Sequence, residues 1–201
     1  LGLCSPEPCK PFDRARQGLN LGEGAGVAVL ERASAAEARG RTVAVLAAGF
    51  GAAADGHHLT APHPDGLGLE AAVRAALQEA EIAPADIDFV NAHGTSTVEN
   101  DRIEGHALAR IFGSDVRVVS TKGVTGHTLG AAGGLETVFA ALALREGWIS
   151  PSVGFETRDE SIPFAPLTEI VAVVRRHALS TSLAFGGNNA AFVLARAGGT
   201  P

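Results

Sequence analysis

The sequence predicts an α/β fold in which helices pack against a largely parallel sheet. Three observations predict this class: apolar runs typical of strands alternate with helical segments, the helical segments carry apolar residues at helical spacing, and glycine-rich turns separate the two. With 201 residues, 46% of them hydrophobic, the chain can bury one large core. It contains no linker and no repeat, so we predict one domain over residues 1–201.

The first half of the chain is predicted to contain two strands and two helices. The β-rich run "GAGVAVLERA" precedes a short Ala-rich helix over residues 33–39, which Gly40 ends. A second strand, "RTVAVLAAGFGAAAD", breaks up in glycine, and residues 51–66 form a loop with three histidines and two prolines. The helix "LEAAVRAALQEAEI" ends before Pro84. Its predicted inner face is formed by Leu69, Val73, Ala76, Leu77 and Ala80.

The second half is predicted to alternate in the same way. "DIDFVNA" is the third strand, a helix follows "END" as far as Phe112, and "VRVVST" is the fourth strand. "AAGGLETVFAALALREG" is apolar nearly all round, which predicts a buried helix. The last β-rich runs, "IVAVVRR" and "ALSTSLAFGGNNAAFVLARA", follow it, and we predict that the two final strands pair antiparallel. The inner side of the helix that follows "END" is predicted to be Ile103, Ala107, Leu108 and Ile111.

Composition and charge exclude several classes of protein. A net charge of −6 argues against a general nucleic-acid binder, which usually has a basic face. No apolar run is long enough for a membrane span and no signal peptide opens the chain, so we predict a cytoplasmic protein. Because methionine is absent, we expect a piece of a longer protein or a processed N-terminus. Cys4 and Cys9 do not make a disulfide framework, and we predict no chemical role for either.

Three glycine-rich stretches, "NAHGTST", "STKGVTGHTLGAAG" and "SLAFGGNN", lie at the ends of predicted strands, where α/β sheets bind ligands. The first two contain His93 and His127. Lys122 follows the fourth strand, where burial would require a counter-ion, and Glu136 on the next helix can supply it. A Lys–Glu pair behind two neutral histidines would hold the rings at fixed tautomer and angle, as an oxyanion or enolate site requires.

Plainer interpretations of the same residues remain open at this point. His93 could be satisfied by backbone carbonyls, His127 could cap a helix, and Lys122 could be solvated. A metal site on the two histidines lacks a third ligand at a suitable spacing, since the pair His57–His58 lies in a loop, and we predict no metal. The phosphate-loop pattern is absent from "GVTGHTLGAAGG", and "GEGAGVAVL" precedes a strand, whereas a dinucleotide motif follows one.

Four motifs in order give the chain a recognisable pattern: "PFDRARQGLNLGEGAGVAVLE", "NAHGTST", "STKGVTGHTLGAAG" followed by "LE", and "LAFGGNN". From about Pro11 to Ala197 the chain resembles the C-terminal half of elongating β-ketoacyl-acyl carrier protein synthases, the condensing enzymes of fatty acid and polyketide synthesis. The resemblance implies the thiolase-like fold, and for this half a layered α/β structure with a mixed, mostly parallel five-stranded sheet. Residues 1–20 would continue from a missing N-terminal half.

The resemblance also implies roles for eight residues. Four match the family's catalytic positions: His93, His127, Lys122 and Glu136. Four match positions that contact the substrate: Thr95, Thr97, Phe185 and Gly186. In the family, the two threonines meet the phosphopantetheine arm of the carrier, and the phenylalanine gates the site from a glycine-rich loop whose backbone N–H helps to hold the thioester oxyanion.

The implied reaction is the decarboxylative Claisen condensation of malonyl-carrier with an acyl thioester, with the two imidazoles stabilising the charge that decarboxylation creates. The implied partners are acyl carrier protein, the N-terminal half and a second subunit in a homo- or heterodimer. No cofactor is implied beyond the carrier's phosphopantetheine arm. The family's nucleophilic cysteine belongs to the N-terminal half, and nothing in this chain resembles it.

Two alternatives within the resemblance remain. A non-catalytic partner subunit resembling a chain-length factor would have no physical need for both histidines, the lysine and the glutamate. An initiating synthase that uses acetyl-CoA typically has asparagine where His127 stands. Four positions depart from the common family pattern and point weakly to a specialised-metabolite synthase: Leu19, Leu183, Ala184 and Asn188.

Overall fold

A computed structural model describes residues 3–198 of the chain. The main sheet contains five strands: β1 (Val45–Ala54), β2 (Ile87–Asn91), β3 (Val118–Val119), β6 (His177–Ala184) and β7 (Asn188–Arg196). A separate two-stranded sheet is formed by β4 (Trp148–Ile149) and β5 (Val171–Ala172). The helices are α1 (Ala33–Ala38), α2 (Leu67–Glu79), α3 (Val98–Phe112), α4 (Lys122–Thr125) and α5 (Ala132–Glu146).

The main sheet is mixed, in the order β1-β7-β6-β2-β3. β2 runs parallel to both β3 and β6, whereas β7 runs antiparallel to both β6 and β1. The predicted mixed five-stranded α/β layer and the antiparallel final pair are therefore confirmed. The expectation of a mostly parallel sheet holds for strand direction, because β1, β2, β3 and β6 point the same way and only β7 opposes them.

Helices cover the two faces of the main sheet unequally. Alternate residues of a strand point to opposite faces, so Leu179 packs beneath α2 and α3 while its neighbour Ala178 packs beneath α5. The α2 side buries Leu69, Val73 and Ala76 fully, as predicted. On the α5 side a groove of about 290 Å³ remains open over β1 and β7. It is lined in part by Phe50, Gly133, Thr137, Ser182, Ala190 and Phe192.

The prediction that α5 is buried all round is wrong for the chain as described. Ala140 and Leu144 on its inner side are buried, whereas Phe139 is 37% and Leu142 38% exposed. The sequence of α5 therefore carries a second apolar face, which residues 3–198 leave partly exposed.

The predicted first strand, "GAGVAVLERA", forms no strand and pairs with none among the described residues. Val27 and Val29 are 83% and 92% exposed. A strand needs a neighbour to satisfy its backbone groups, and the segment's close contact is instead with α5. A Cβ atom on Gly26 would lie 2.4 Å from the backbone nitrogen of Leu135, so only glycine permits this approach.

The remaining predicted elements are close to those observed, although β3 and β5 are shorter than their apolar runs suggested. The predicted loop over residues 51–66 begins later, because β1 stays paired with β7 as far as Ala54. No helix among residues 3–198 is both long enough and apolar enough to cross a membrane. The first two and last three residues of the predicted domain lie outside the described residues.

Candidate active site

His93 lies in a tight turn two residues beyond the end of β2 and is only 4% exposed. The turn depends on Gly94, whose φ of +43° lies in the left-handed region that favours glycine. A Cβ atom there would lie 2.7 Å from the Ser120 side chain and 2.9 Å from the Phe12 ring. The close packing around Gly94 therefore fixes the position of the neighbouring His93 imidazole.

We expect Gly94→Ala to lower the free energy of unfolding by about 2–4 kcal/mol, because it combines an unfavourable φ with overpacking. Gly147→Ala is the matched control, since Gly147 is also left-handed (φ +82°, ψ +18°) but has open space around it. Its cost should be about 1 kcal/mol, from the backbone alone. Urea unfolding of both variants measures the difference, and equal costs would show that packing around Gly94 contributes nothing.

A buried carboxylate that the sequence prediction missed holds the same turn. Glu104 on α3 is fully buried and accepts the backbone N–H groups of His93 and Gly94, each at 2.8 Å. Its Oε1 also accepts the Thr181 hydroxyl at 2.8 Å. The signal was present in the sequence, because Glu104 lies one residue after Ile103 on the predicted inner face of α3, where an acidic side chain needs a buried partner.

Lys122, the first residue of α4, joins the His93 turn to α5 through its side chain. It is 1% exposed, and its ammonium group donates to the His93 carbonyl oxygen, to His93 Nδ1 at 3.2 Å and to Glu136 Oε1. These three acceptors match the three hydrogens of an ammonium group. Burial raises the pKa of Glu136 to about 7 although Lys122 opposes the shift. The predicted Lys–Glu pair is thus present, directly behind the His93 ring.

His127 follows α4 and is fixed by its own local contacts. Its Nδ1 accepts the backbone N–H of Leu129 at 3.2 Å. Its backbone N–H donates to the Asn20 carbonyl oxygen at 2.7 Å, and its carbonyl oxygen accepts the Gly22 N–H at 3.1 Å. The segment that precedes the first helix therefore holds this histidine as well.

The two rings lie together, with centroids 5.1 Å apart and planes at 83°. Burial, followed by the charge of Lys122, lowers the pKa of His93 well below its usual value and that of His127 to about 4, so both rings are neutral at pH 7. In a neutral imidazole an accepting Nδ1 leaves the proton on Nε2. Because each Nδ1 accepts a hydrogen bond, the contacts assign each ring an Nε2–H group that can donate.

The lowered pKa of His127 predicts acid sensitivity. An unfolded histidine takes up a proton near pH 6.5, whereas the folded one does so near pH 4, so the unfolded state binds more protons between these values. The contribution of His127 to stability is then fully present above about pH 6.5 and lost as the pH falls towards 4. We expect His127→Gln to lose less stability than the unmodified protein between pH 7 and pH 4.5. Urea unfolding at the two pH values measures this, and identical losses would contradict it.

The predicted substrate-contacting residues fall into two groups. The Thr95 and Thr97 hydroxyls lie 2.9 Å apart just beyond His93, and Thr95 is 6% exposed. Phe185 is 61% exposed at the tip of the β6–β7 hairpin. The Gly186 N–H donates to the Leu59 carbonyl oxygen at 2.7 Å, so in this state that amide is engaged by the 55–66 loop.

The other candidate ligands and nucleophiles add neither a metal cluster nor an activated thiol to this arrangement among the described residues. Within residues 3–198, no group of three or more His, Cys, Asp or Glu side chains could hold a metal ion. Cys9 is buried, its Sγ accepts the Asn20 N–H at 3.0 Å, and burial raises the pKa of its thiol. A raised pKa disfavours the thiolate, which is the nucleophilic form.

Two neutral histidines over a buried lysine–glutamate pair, at the end of a mixed sheet, define an α/β half of the thiolase-like class. The family model "Beta-ketoacyl synthase, C-terminal domain" matches residues 43–156, and "Beta-ketoacyl synthase, N-terminal domain" matches residues 1–36. The chain belongs to the β-ketoacyl synthase family. The stretch similar to the N-terminal domain extends beyond the opening segment predicted for residues 1–20.

Individual relatives agree with this assignment. The chain is 40% identical to 3-oxoacyl-[acyl-carrier-protein] synthase 2 of Staphylococcus aureus over 92% of its own length and 47% of that protein. It aligns with the structure of the ishigamide ketosynthase/chain length factor at a TM-score of 0.92 and 37% identity, over 98% of this chain and 49% of the other. The structure of a type II polyketide acyl-carrier protein in complex with its ketosynthase gives a TM-score of 0.92 at 27% identity, over 98% of this chain and 51% of the other. The chain spans about half the length of the relatives it matches.

Proposed function

We propose that this chain is the C-terminal half of a β-ketoacyl-acyl carrier protein synthase and supplies the two histidines for decarboxylative Claisen condensation. The observation that carries the proposal is the pair of neutral rings 5.1 Å apart, each with Nδ1 occupied and Nε2–H available. Two N–H donors suit the oxygen of a malonyl thioester, which becomes negative as carbon dioxide leaves. Carboxylates in the same place would repel both malonate and the enolate.

In this proposal Lys122 and Glu136 keep the His93 ring oriented, while Thr95 and Thr97 meet the phosphopantetheine arm of acyl carrier protein. The paired hydroxyls lie beside His93 and can bond to the amides of such an arm. Phe185 would gate the site, with Gly186 giving its loop the necessary freedom. No cofactor other than the carrier's arm enters the reaction.

The N-terminal half is the first proposed partner, and the exposed apolar surfaces support it. Among the described residues, the unpaired segment around Val27 and Val29 is exposed and the outer face of α5 is partly exposed. The segment itself lies in the stretch similar to the N-terminal domain. We propose that the other half pairs with this segment, covers α5 and carries the nucleophilic cysteine. Acyl carrier protein and a second subunit in a dimer, in the cytoplasm, complete the proposed assembly.

The test is to assemble the chain with its N-terminal half and to supply malonyl-carrier and an acyl donor. We expect carbon dioxide release and a β-ketoacyl-carrier product. Absence of both, from a folded assembly whose cysteine accepts the acyl group, would contradict the proposal.

The alternative, a non-catalytic subunit like a chain-length factor, draws on the ketosynthase/chain length factor complex among the structural relatives. Its distinguishing property is that activity would reside wholly in the partner subunit. Condensation that survives replacement of His93 and His127 in this chain would favour that alternative.

A further inference from the structure

The segment of residues 10–22, here called the strap, runs along both histidine turns, and the backbone of the strap bonds to each turn. At the His93 turn, the Lys10 N–H donates to Ser96 Oγ at 2.9 Å and the Gly18 N–H donates to the Ser96 carbonyl oxygen at 3.0 Å. Ser96 has a φ of +69°, an unfavourable conformation for serine. The strap therefore holds in place a residue that would otherwise relax, three positions beyond His93.

Asp101 joins the strap to the same residue from the other side. It is fully buried in the first turn of α3, and its Oδ2 accepts the Phe12 N–H at 2.7 Å while its Oδ1 accepts the Ser96 N–H at 3.1 Å. The ring of Phe12 lies directly against Gly94. One carboxylate thus fixes the strap and the His93 turn relative to each other.

The other end of the strap holds the His127 turn. Asn20 and Gly22 bond to the N–H and the carbonyl oxygen of His127. A Cβ atom on Gly22 would lie 1.9 Å from the Thr125 carbonyl oxygen, so the two backbones pack without space for a side chain. A continuous stretch of 13 residues, numbers 10–22, therefore spans the two rings.

We infer that the strap sets the distance and angle between the two imidazoles, and that Ser96 and Asp101 are positioning residues that transmit its position to His93. The strap lies within residues 1–36, which match the N-terminal domain of the family. A segment akin to the first half of the fold thereby aligns the histidines of the second half. The catalytic consequence of this inference rests on the proposed function.

The test compares Asp101→Asn and Ser96→Ala with Glu99→Gln in the assembled synthase. Asparagine at position 101 has the size of aspartate, but its amide NH₂ would face the backbone N–H of either Phe12 or Ser96, where the carboxylate accepts from both. Ser96→Ala removes only the hydrogen bond from the Lys10 N–H. Glu99 lies in the same first turn of α3 but is exposed, so its change to an amide is the matched control.

We expect kcat for malonyl decarboxylation to fall about tenfold to a hundredfold in Asp101→Asn, and by a smaller factor in Ser96→Ala, because misplaced donors lose transition-state contact. KM and the rate of acyl loading onto the cysteine should be unchanged, and Glu99→Gln should match the unmodified enzyme. Equal losses in loading and decarboxylation would show a merely structural role, and unchanged decarboxylation would overturn the inference. If Asp101→Asn fails to fold, Ser96→Ala decides.

A second readout does not depend on activity. In the unmodified protein, nuclear Overhauser contacts between the His93 and His127 ring protons should be present, as the 5.1 Å centroid distance requires. They should weaken in the folded variants. Unchanged contacts in both variants would refute the strap's role, whereas a wild-type synthase with these contacts but no decarboxylation would refute the proposed function alone.

Discussion

Replacing His93 or His127 by alanine is expected to lower the rate of malonyl decarboxylation about a hundred- to a thousandfold in the assembled synthase. Each substitution removes one N–H donor from the place where negative charge develops, and water cannot reproduce a donor fixed by Lys122 or by the Leu129 amide. The measurement is release of labelled carbon dioxide from malonyl-carrier under single-turnover conditions, which separates this step from acyl loading.

Two further substitutions sharpen the result. His127→Gln places an amide N–H near the original Nε2 and should retain part of the rate, because donation rather than proton transfer is the proposed task. His106→Ala is the control, since His106 is exposed on α3. A His127→Ala enzyme that decarboxylates at the unmodified rate would remove His127 from the reaction.

The second large effect is expected at Lys122, where replacement by methionine should destabilise the protein by about 3–5 kcal/mol at pH 8. The variant leaves the Glu136 carboxylate buried with no cation and leaves His93 Nδ1 without its donor. Because burial raises the pKa of Glu136 above its unfolded value, the folded state holds its proton more tightly. Stability is therefore lost as the pH rises through the folded pKa, and the defect should be smaller at pH 5 than at pH 8.

Chemical unfolding at the two pH values measures this effect. Lys10→Met is the matched control, because Lys10 makes a partly exposed pair with Glu156 at 3.7 Å, and such pairs contribute about 1 kcal/mol or less. The double variant Lys122→Met/Glu136→Gln should recover part of the lost stability by removing the stranded charge. A Lys122→Met protein as stable as the control would mean that the buried pair does not support the site.

Much of the site could be predicted from sequence because its reactive side chains lie in glycine-rich turns at the ends of predicted strands. His93 and His127 follow strands in such turns. A buried lysine near them requires a counter-ion, and Glu136 on the next helix could supply it. Their mutual placement could not be read in this way. Glu104, Ser96 and Asp101 act through backbone N–H groups, and a sequence does not reveal which distant amides a buried carboxylate will meet.

The fold was predicted less evenly for a related reason. Helix periodicity located α2 and α3 well, because each has one buried face. It misjudged α5 and the run around Val27, whose apolar surfaces are exposed in this chain. A pattern of apolar residues indicates that a surface is buried in the folded protein, but it does not indicate which part of the protein covers it. A surface that packs against another part of the fold therefore has the same sequence pattern as the core.

The most direct test is the side-chain ¹⁵N spectrum of the two histidines in the assembled synthase at pH 7. We predict that both rings are neutral, with an unprotonated Nδ1 and a proton on Nε2. A positively charged ring, or a proton found on Nδ1 of either residue, would contradict the claim that two fixed imidazole donors stabilise the enolate.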